Sequence, residues 1–219
     1  MNMRSRILFL VLVFAGAYTV SAGELAGKAA KFDRLIAAEH MPRGLVVNLQ
    51  PIGAGEQMRY RSSGDSTIWT GAYIASQVFR YRVSKDEEAI ANIEKCLRAF
   101  VQLHDMAGRQ GFIGRAFGTR EELGDGRDVV PGVGSYSHLC FKADTSRDQY
   151  TGIFMGCGLA WDYIRDADLR AEVSSMIATA AHHAGKIAVF VGGYRWHGHE
   201  LRETGVRSYF REQAPQFQV

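Results

Sequence analysis

The sequence predicts an all-α protein of helical hairpins set side by side as an arc or part of a ring, with a short irregular or β insertion between hairpins. Two stretches, near 68–83 and 150–164, are apolar on several helix faces, and each precedes an ordinary amphipathic helix. The apolar stretches also share a motif. Trp69-Thr70-Gly71-Ala72-Tyr73 matches Tyr150-Thr151-Gly152-Ile153-Phe154, 81 positions on, and a small residue follows two places later in each, Ala75 and Gly156. Inner helices apolar nearly all round, with outer helices apolar on one side, are what such an arc requires.

The chain begins with an address. Arg4 and Arg6 form a basic start, Ile7 to Ala17 is apolar, and Val20-Ser21-Ala22 supplies small residues before Gly23, as in a secretory signal peptide. The apolar run is shorter than the roughly 20 residues of a membrane span. Residues 1–22 are therefore read as a signal peptide and 23–219 as the helical-hairpin domain, secreted or periplasmic, with no stable membrane anchor after cleavage. Losing two arginines takes the formal charge of the 219-residue chain from +3 close to neutrality, which gives no basic face for nucleic acid.

Leu25, Ala29, Phe32 and Ile36 recur at helical spacing and predict a first helix to about Glu39. An irregular stretch with Pro42, Pro51, Gly53 and Gly55 follows. In the first hairpin, Ile68, Ala72, Ala75, Phe79 and Val83 mark one face, while Trp69, Tyr73, Ile74 and Val78 make the others apolar, so the helix is expected to be buried nearly all round. Ser84 and Glu87 have capping-box spacing for the second helix, whose inward side is Ala89, Ile90, Ile93, Leu97, Phe100 and Val101. Gly108 marks its end.

Residues 108–134 are glycine-rich and carry Arg109, Arg115, Arg120 and Arg127, with 111–117 a candidate strand. A long irregular insertion of this kind in a compact domain points to function or disorder. In the second hairpin, Gly152, Gly156 and Gly158 predict close packing against a neighbour. Asp166 and Asp168 open its outer helix, with Leu169, Val173, Met176, Ala180, Ala184 and Ile187 inward and His182 and His183 on the solvated side. From Val189 the chain reads as strand or loop.

The odd set Cys96, Cys140 and Cys157 is read as unpaired core thiols, with a Cys140–Cys157 bridge left open. His182-His183 and His197-Gly198-His199-Glu200 lack zinc-site spacing, and no metal or cofactor is expected.

In an arc of hairpins the inner helices run the same way, so their N-termini gather at one rim. Asp65, Asp144 and Asp148 lie at those N-termini, with Trp69, Tyr73, Tyr150 and His138 nearby in sequence. Carboxyl groups among aromatic rings suit carbohydrate chemistry: one acid protonates a leaving oxygen while a carboxylate attacks or activates water, and flat rings carry the sugar faces. Aspartates at a helix start also serve as caps, and both uses remain open here.

Asp65-Ser66-Thr67-Ile68-Trp69-Thr70-Gly71-Ala72-Tyr73-Ile74-Ala75 and Asp144-Thr145-Ser146-Arg147-Asp148-Gln149-Tyr150-Thr151-Gly152 resemble the six-hairpin glycosidase superfamily over about 64–185. The resemblance implies an (α/α) toroid that binds a polysaccharide or oligosaccharide at the inner-helix rim. It implies a hydrolase with Asp144 or Asp148 as acid/base and Asp65 as partner. A lyase would instead use Tyr150 or His138 as base and Arg115 or Arg147 against a uronate carboxylate. The remaining alternative is a glycan-binding scaffold without turnover. Two hairpins cannot close a six-hairpin ring, so a partner chain or further C-terminal sequence is expected to cover the apolar sides.

Overall fold

A computed structural model describes residues 22–51 and 58–190. The expected signal peptide, except its last residue Ala22, and the 197–200 histidine cluster lie outside the described residues. The chain divides into two compact units, 1–38 and 39–219.

In the first unit the described residues belong to helix α1, Ala22–Glu39, which matches the expected helix. Its Leu25 and Phe32 are exposed.

The second unit is mostly helical, with two small antiparallel sheets. Strands β1 (Asn48–Pro51) and β2 (Met58–Ser62) form a hairpin where the sequence showed only irregular chain. The preceding loop buries Met41, Leu45 and Val47. It is tied to the next helix where the Val46 amide donates to Thr70 Oγ1 at 2.8 Å.

Helices α2 (Ser66–Ser84) and α3 (Glu87–Asp105) form the first hairpin. Ser84 is not the cap expected from its spacing. It is the last residue of α2, and the turn passes through Lys85 in the left-handed region (φ 57°). Asp86 caps α3 instead, accepting from the Glu88 amide at 3.0 Å. The Arg80 guanidinium pairs with Asp86 at 2.5 Å and closes the turn. The expected inward side of α3 is buried, with Ile93, Leu97 and Phe100 at 0% exposure.

The insertion contains β3 (Phe117–Gly118), the short helix α4 (Arg120–Leu123), β4 (Val129–Pro131), a 3-10 turn at Gly134–Tyr136 and β5 (Cys140–Lys142). The strand foreseen at 111–117 shrinks to its last residue plus Gly118. The reason lies in the partner: β5 is three residues long, sits between β3 and β4, and pairs Phe117 with Phe141 and Val130 with Phe141. Thr119 and Glu122 build a capping box for α4, each side chain accepting from the other's amide.

The second hairpin is α5 (Arg147–Ala160), a 3-10 turn (Trp161–Tyr163) and α6 (Ala167–Phe190). Asp166 caps α6 through bonds from the Asp168 and Leu169 amides at 2.9 and 3.1 Å. The 189–190 end of the stretch read as strand or loop continues α6. Of the two histidines assigned to its solvated side, His182 is exposed, but His183 packs edge-on against Phe112 and beside Tyr150.

The hairpins lie in parallel. Gln149 meets Asp65 and Thr67, Gly152 meets Gly71, and Gly156 meets Gly71 and Ile74, so α2 and α5 run in the same direction at matched height. On the outer side Glu94 receives the Arg165 amide and His104 reaches Thr179, which sets α3 and α6 parallel too. One expectation fails: α2 is not buried nearly all round. Ala72, Phe79 and Val83, on one of the faces expected to be buried, are exposed, because α3 and α5 together cover only Thr67, Thr70, Gly71, Ile74, Gln77 and Val78 and their neighbours.

Cys96, Cys140 and Cys157 are all buried and free. Burial pushes the Cys96 thiol up to about 12.

Candidate functional site

The parallel course of α2 and α5 brings their N-termini to one rim, and Arg115 sits between them. Its position is fixed from the backbone: the Arg115 amide donates to Lys142 O and the Lys142 amide to Ala116 O, extending the β3–β5 ladder. Its side chain, 18% exposed, then spans both helix starts. Nη1 donates to Gly64 O at 2.6 Å and lies 3.6 Å from the Asp65 carboxylate. Nε donates to Asp144 O at 3.1 Å and reaches Asp144 Oδ2 at 3.2 Å, while Nη2 donates to Ser146 Oγ at 3.2 Å. A planar guanidinium with five donors can hold two carboxylates and two carbonyls at once, as a lysine ammonium cannot.

Asp65 and Asp144 remain about half exposed, at 50% and 52% of their side chains. Asp65 Oδ1 also accepts from Gln149 Nε2 at 3.3 Å. Gln149 is fully buried, and its Oε1 accepts from the buried Thr67 hydroxyl, so one side-chain chain ties the two inner helices beneath the rim. Asp148 is exposed in the first turn of α5. The Ser146 hydroxyl donates to its carboxylate, and with bonds from the Asp148 and Gln149 amides and the charge of Arg115 this outweighs the opposing desolvation and holds the acid below its usual range. Asp148 thus stays ionised at neutral pH.

Sequence reasoning missed Asp128. It enters the rim because β4 pairs with β5, and its carboxylate lies 3.1 Å from Lys142 Nζ. Burial would raise it, but hydrogen bonds from Lys142 and Asp144, with the Lys142 charge, hold it low. No local signal marks this residue, since only strand pairing carries it to Asp144.

The predicted aromatic lining is largely elsewhere. Tyr73 is buried at 5% exposure and Tyr150 at 2%. The Tyr150 hydroxyl accepts from the Ile113 amide at 3.3 Å and donates to Gly111 O at 3.1 Å, which fixes the 111–113 loop, and burial pushes its pKa above the usual phenol value. Trp69 is half-buried in the first turn of α2. Arg147 is exposed at the α5 start, and His138 is exposed at the end of β5 opposite Asp144. The structure therefore gathers Asp65, Asp144, Asp148 and Arg115, and separates Tyr73, Tyr150 and His138 from them.

Among the described residues no group of three His, Cys, Asp or Glu is arranged to hold a metal ion, and no helix is long and apolar enough to cross a membrane. No family model, curated protein or solved structure matches the chain.

Proposed function

We propose that the protein is an exported carbohydrate-active protein, built as part of an (α/α) toroid, that engages a polysaccharide or oligosaccharide at this rim and hydrolyses it by carboxylate acid/base chemistry. The observation that carries this reading is that Asp65 and Asp144, 79 positions apart, converge on the single guanidinium of Arg115 beside the ionised Asp148. Glycoside hydrolysis needs one carboxyl that delivers a proton and one that stays ionised. Asp144 is the candidate donor, and Asp148, which the Ser146 hydroxyl helps to hold ionised, the candidate base or nucleophile. Asp65 with Arg115 would orient sugar hydroxyls. The lyase alternative is left with His138 alone as base, because the Tyr150 hydroxyl is committed to backbone groups.

A second reading, glycan binding without turnover, is favoured by Arg115 itself: its guanidinium engages both Asp65 and Asp144 and spends them on holding the rim together. The test is release of reducing ends from neutral and uronate-containing polysaccharides by the full chain, with Asp144→Asn and Asp148→Asn, beside retardation of the same polymers in affinity gels. Turnover that falls about a hundredfold or more in each variant supports hydrolysis. Retardation without turnover supports the binding reading, and neither turnover nor retardation overturns both.

A further inference from the structure

We infer that His104 is a pH-sensitive latch: its neutral imidazole fastens the 108–112 loop to the hairpins, and its protonation releases that loop toward acid pH. His104 stands in the last turn of α3, with its side chain 15% exposed. The Gly111 amide donates to its Nε2 at 3.1 Å, and its Nδ1 lies 2.9 Å from Asp105 Oδ1. A backbone N–H can only donate and an ionised carboxylate can only accept, so the ring carries its proton on Nδ1 and leaves Nε2 bare. Gly111 itself is buried against α6. It takes φ 73°, and a methyl group there would lie 2.2 Å from Thr179 O, so its amide is held away from water.

Protonation exchanges one partner for another. Thr179 Oγ1 lies 3.4 Å from Nε2, and its own proton is directed at the α6 backbone, with Met176 O at 3.0 Å and Ser175 O at 3.1 Å. The hydroxyl therefore turns a lone pair toward the ring. Once Nε2 carries a proton, it meets the Gly111 amide donor against donor and finds its acceptor in Thr179 instead. Asp105 keeps Nδ1–H in both forms. Imidazole is the side chain whose protonation falls between about pH 5 and 8. Besides Asp105, the titratable and charged groups around the contact are Arg109 in the loop, Tyr136 in the 3-10 turn, Tyr150 on α5, and Glu172, His182 and His183 on α6. The release is bounded. The Tyr150 hydroxyl still holds Gly111 O and the Ile113 amide, so Arg115, two residues on, keeps its place at the rim. Phe112, packed edge-on against His183, and Arg109, lying over the Phe112 ring, come free of α6.

This inference does not rest on the glycan reading. It is read by hydrogen exchange of the isotope-labelled full chain at about pH 8 and about pH 5, corrected for intrinsic rates. The Gly111 amide should lose about tenfold or more of its protection in acid, while Ile93 and Leu97 of α3 keep theirs. His104→Gln, whose carboxamide oxygen can accept from Gly111 without titrating, should stay protected at both pH values. His104→Leu should lack the protection at both, and His183→Phe should keep the dependence of the unaltered chain. The ring nitrogens of neutral His104 should show Nδ1 protonated and Nε2 bare. Equal Gly111 protection at the two pH values, a dependence that persists in His104→Gln or vanishes in His183→Phe, or the opposite tautomer overturns the proposal. Should His104→Leu fail to fold, His104→Gln decides.

Discussion

Gly71 and Gly152, the paired glycines of the internal repeat, touch each other. A methyl group placed on Gly71 would lie 2.0 Å from the carbonyl oxygen of Gly152, and one on Gly152 would lie 2.5 Å from Ile68 Cα. Both obstacles are backbone, so neither can swing aside. The repeated Thr-Gly step is therefore the crossing point of the two inner helices, and that crossing sets the height at which their N-termini, and the rim aspartates, stand.

Gly71→Ala and Gly152→Ala should each destabilise the protein by about 1–3 kcal/mol, because the overlap outweighs the ~1 kcal/mol gained in helix propensity. Gly27 in α1, where an added methyl meets nothing within 4 Å, is the control. Gly27→Ala should stabilise α1 by about 0.5–1 kcal/mol. Urea titrations followed by circular dichroism check all three.

Arg115→Ala should cost about 1–2 kcal/mol, since the Gly64 and Asp144 carbonyls lose their shared donor while the half-exposed Asp65 and Asp144 carboxylates turn to water. Arg115→Lys should recover only a fraction, as a point charge cannot reach both helix starts. The midpoint of denaturant unfolding reads both, and full rescue by lysine would show that charge alone, without the fork, suffices.

Acid should unfold the protein through its helix-start aspartates. The amide of Glu88 and the Arg80 guanidinium lower Asp86; the Leu169 amide and Arg98 lower Asp166; Ser146 lowers Asp148. Each depressed acid contributes stability that is complete above its unfolded value near 3.9 and is lost as pH falls through its folded value. Stability should thus stay flat with respect to these groups from about pH 7 to 5 and drop below about pH 4. Asp166→Asn should flatten that drop, measured as midpoint against pH.

The three thiols should be silent toward a disulfide-exchange reagent in the native state and react together on unfolding. All are buried away from the reagent, and desolvation raises Cys96 and Cys157 well above neutral pH, so neither of these two presents a thiolate. Rapid labelling of the folded chain would contradict this, and a thiol count below three after denaturation would indicate a bridge.

Much of the fold was legible. The helices at 22–39, 66–84, 87–105, 147–160 and 167–190 follow from apolar periodicity, and the repeat marked the two that pack together. The β1–β2 hairpin was not legible, because a four-residue and a five-residue strand leave too little alternation to read. Capping spacing misled at Ser84, since Lys85 takes the left-handed turn and moves the cap two residues on to Asp86.

For the candidate site, the sequence named Asp65, Asp144, Asp148 and Arg115 as chemistry-bearing residues, because residue type and position at a helix start are local properties. Which of them meet is not local. Arg115 reaches both helix starts through its β-ladder bond to Lys142, Asp128 arrives through β4–β5 pairing, and Tyr150 turns inward because the 111–113 backbone offers its hydroxyl two partners. The sequence by itself determined the helices and their order, since periodicity and caps act within a few residues. The tertiary structure alone decided which faces stayed uncovered and which charges shared a partner, since those depend on contacts between segments some thirty to eighty residues apart.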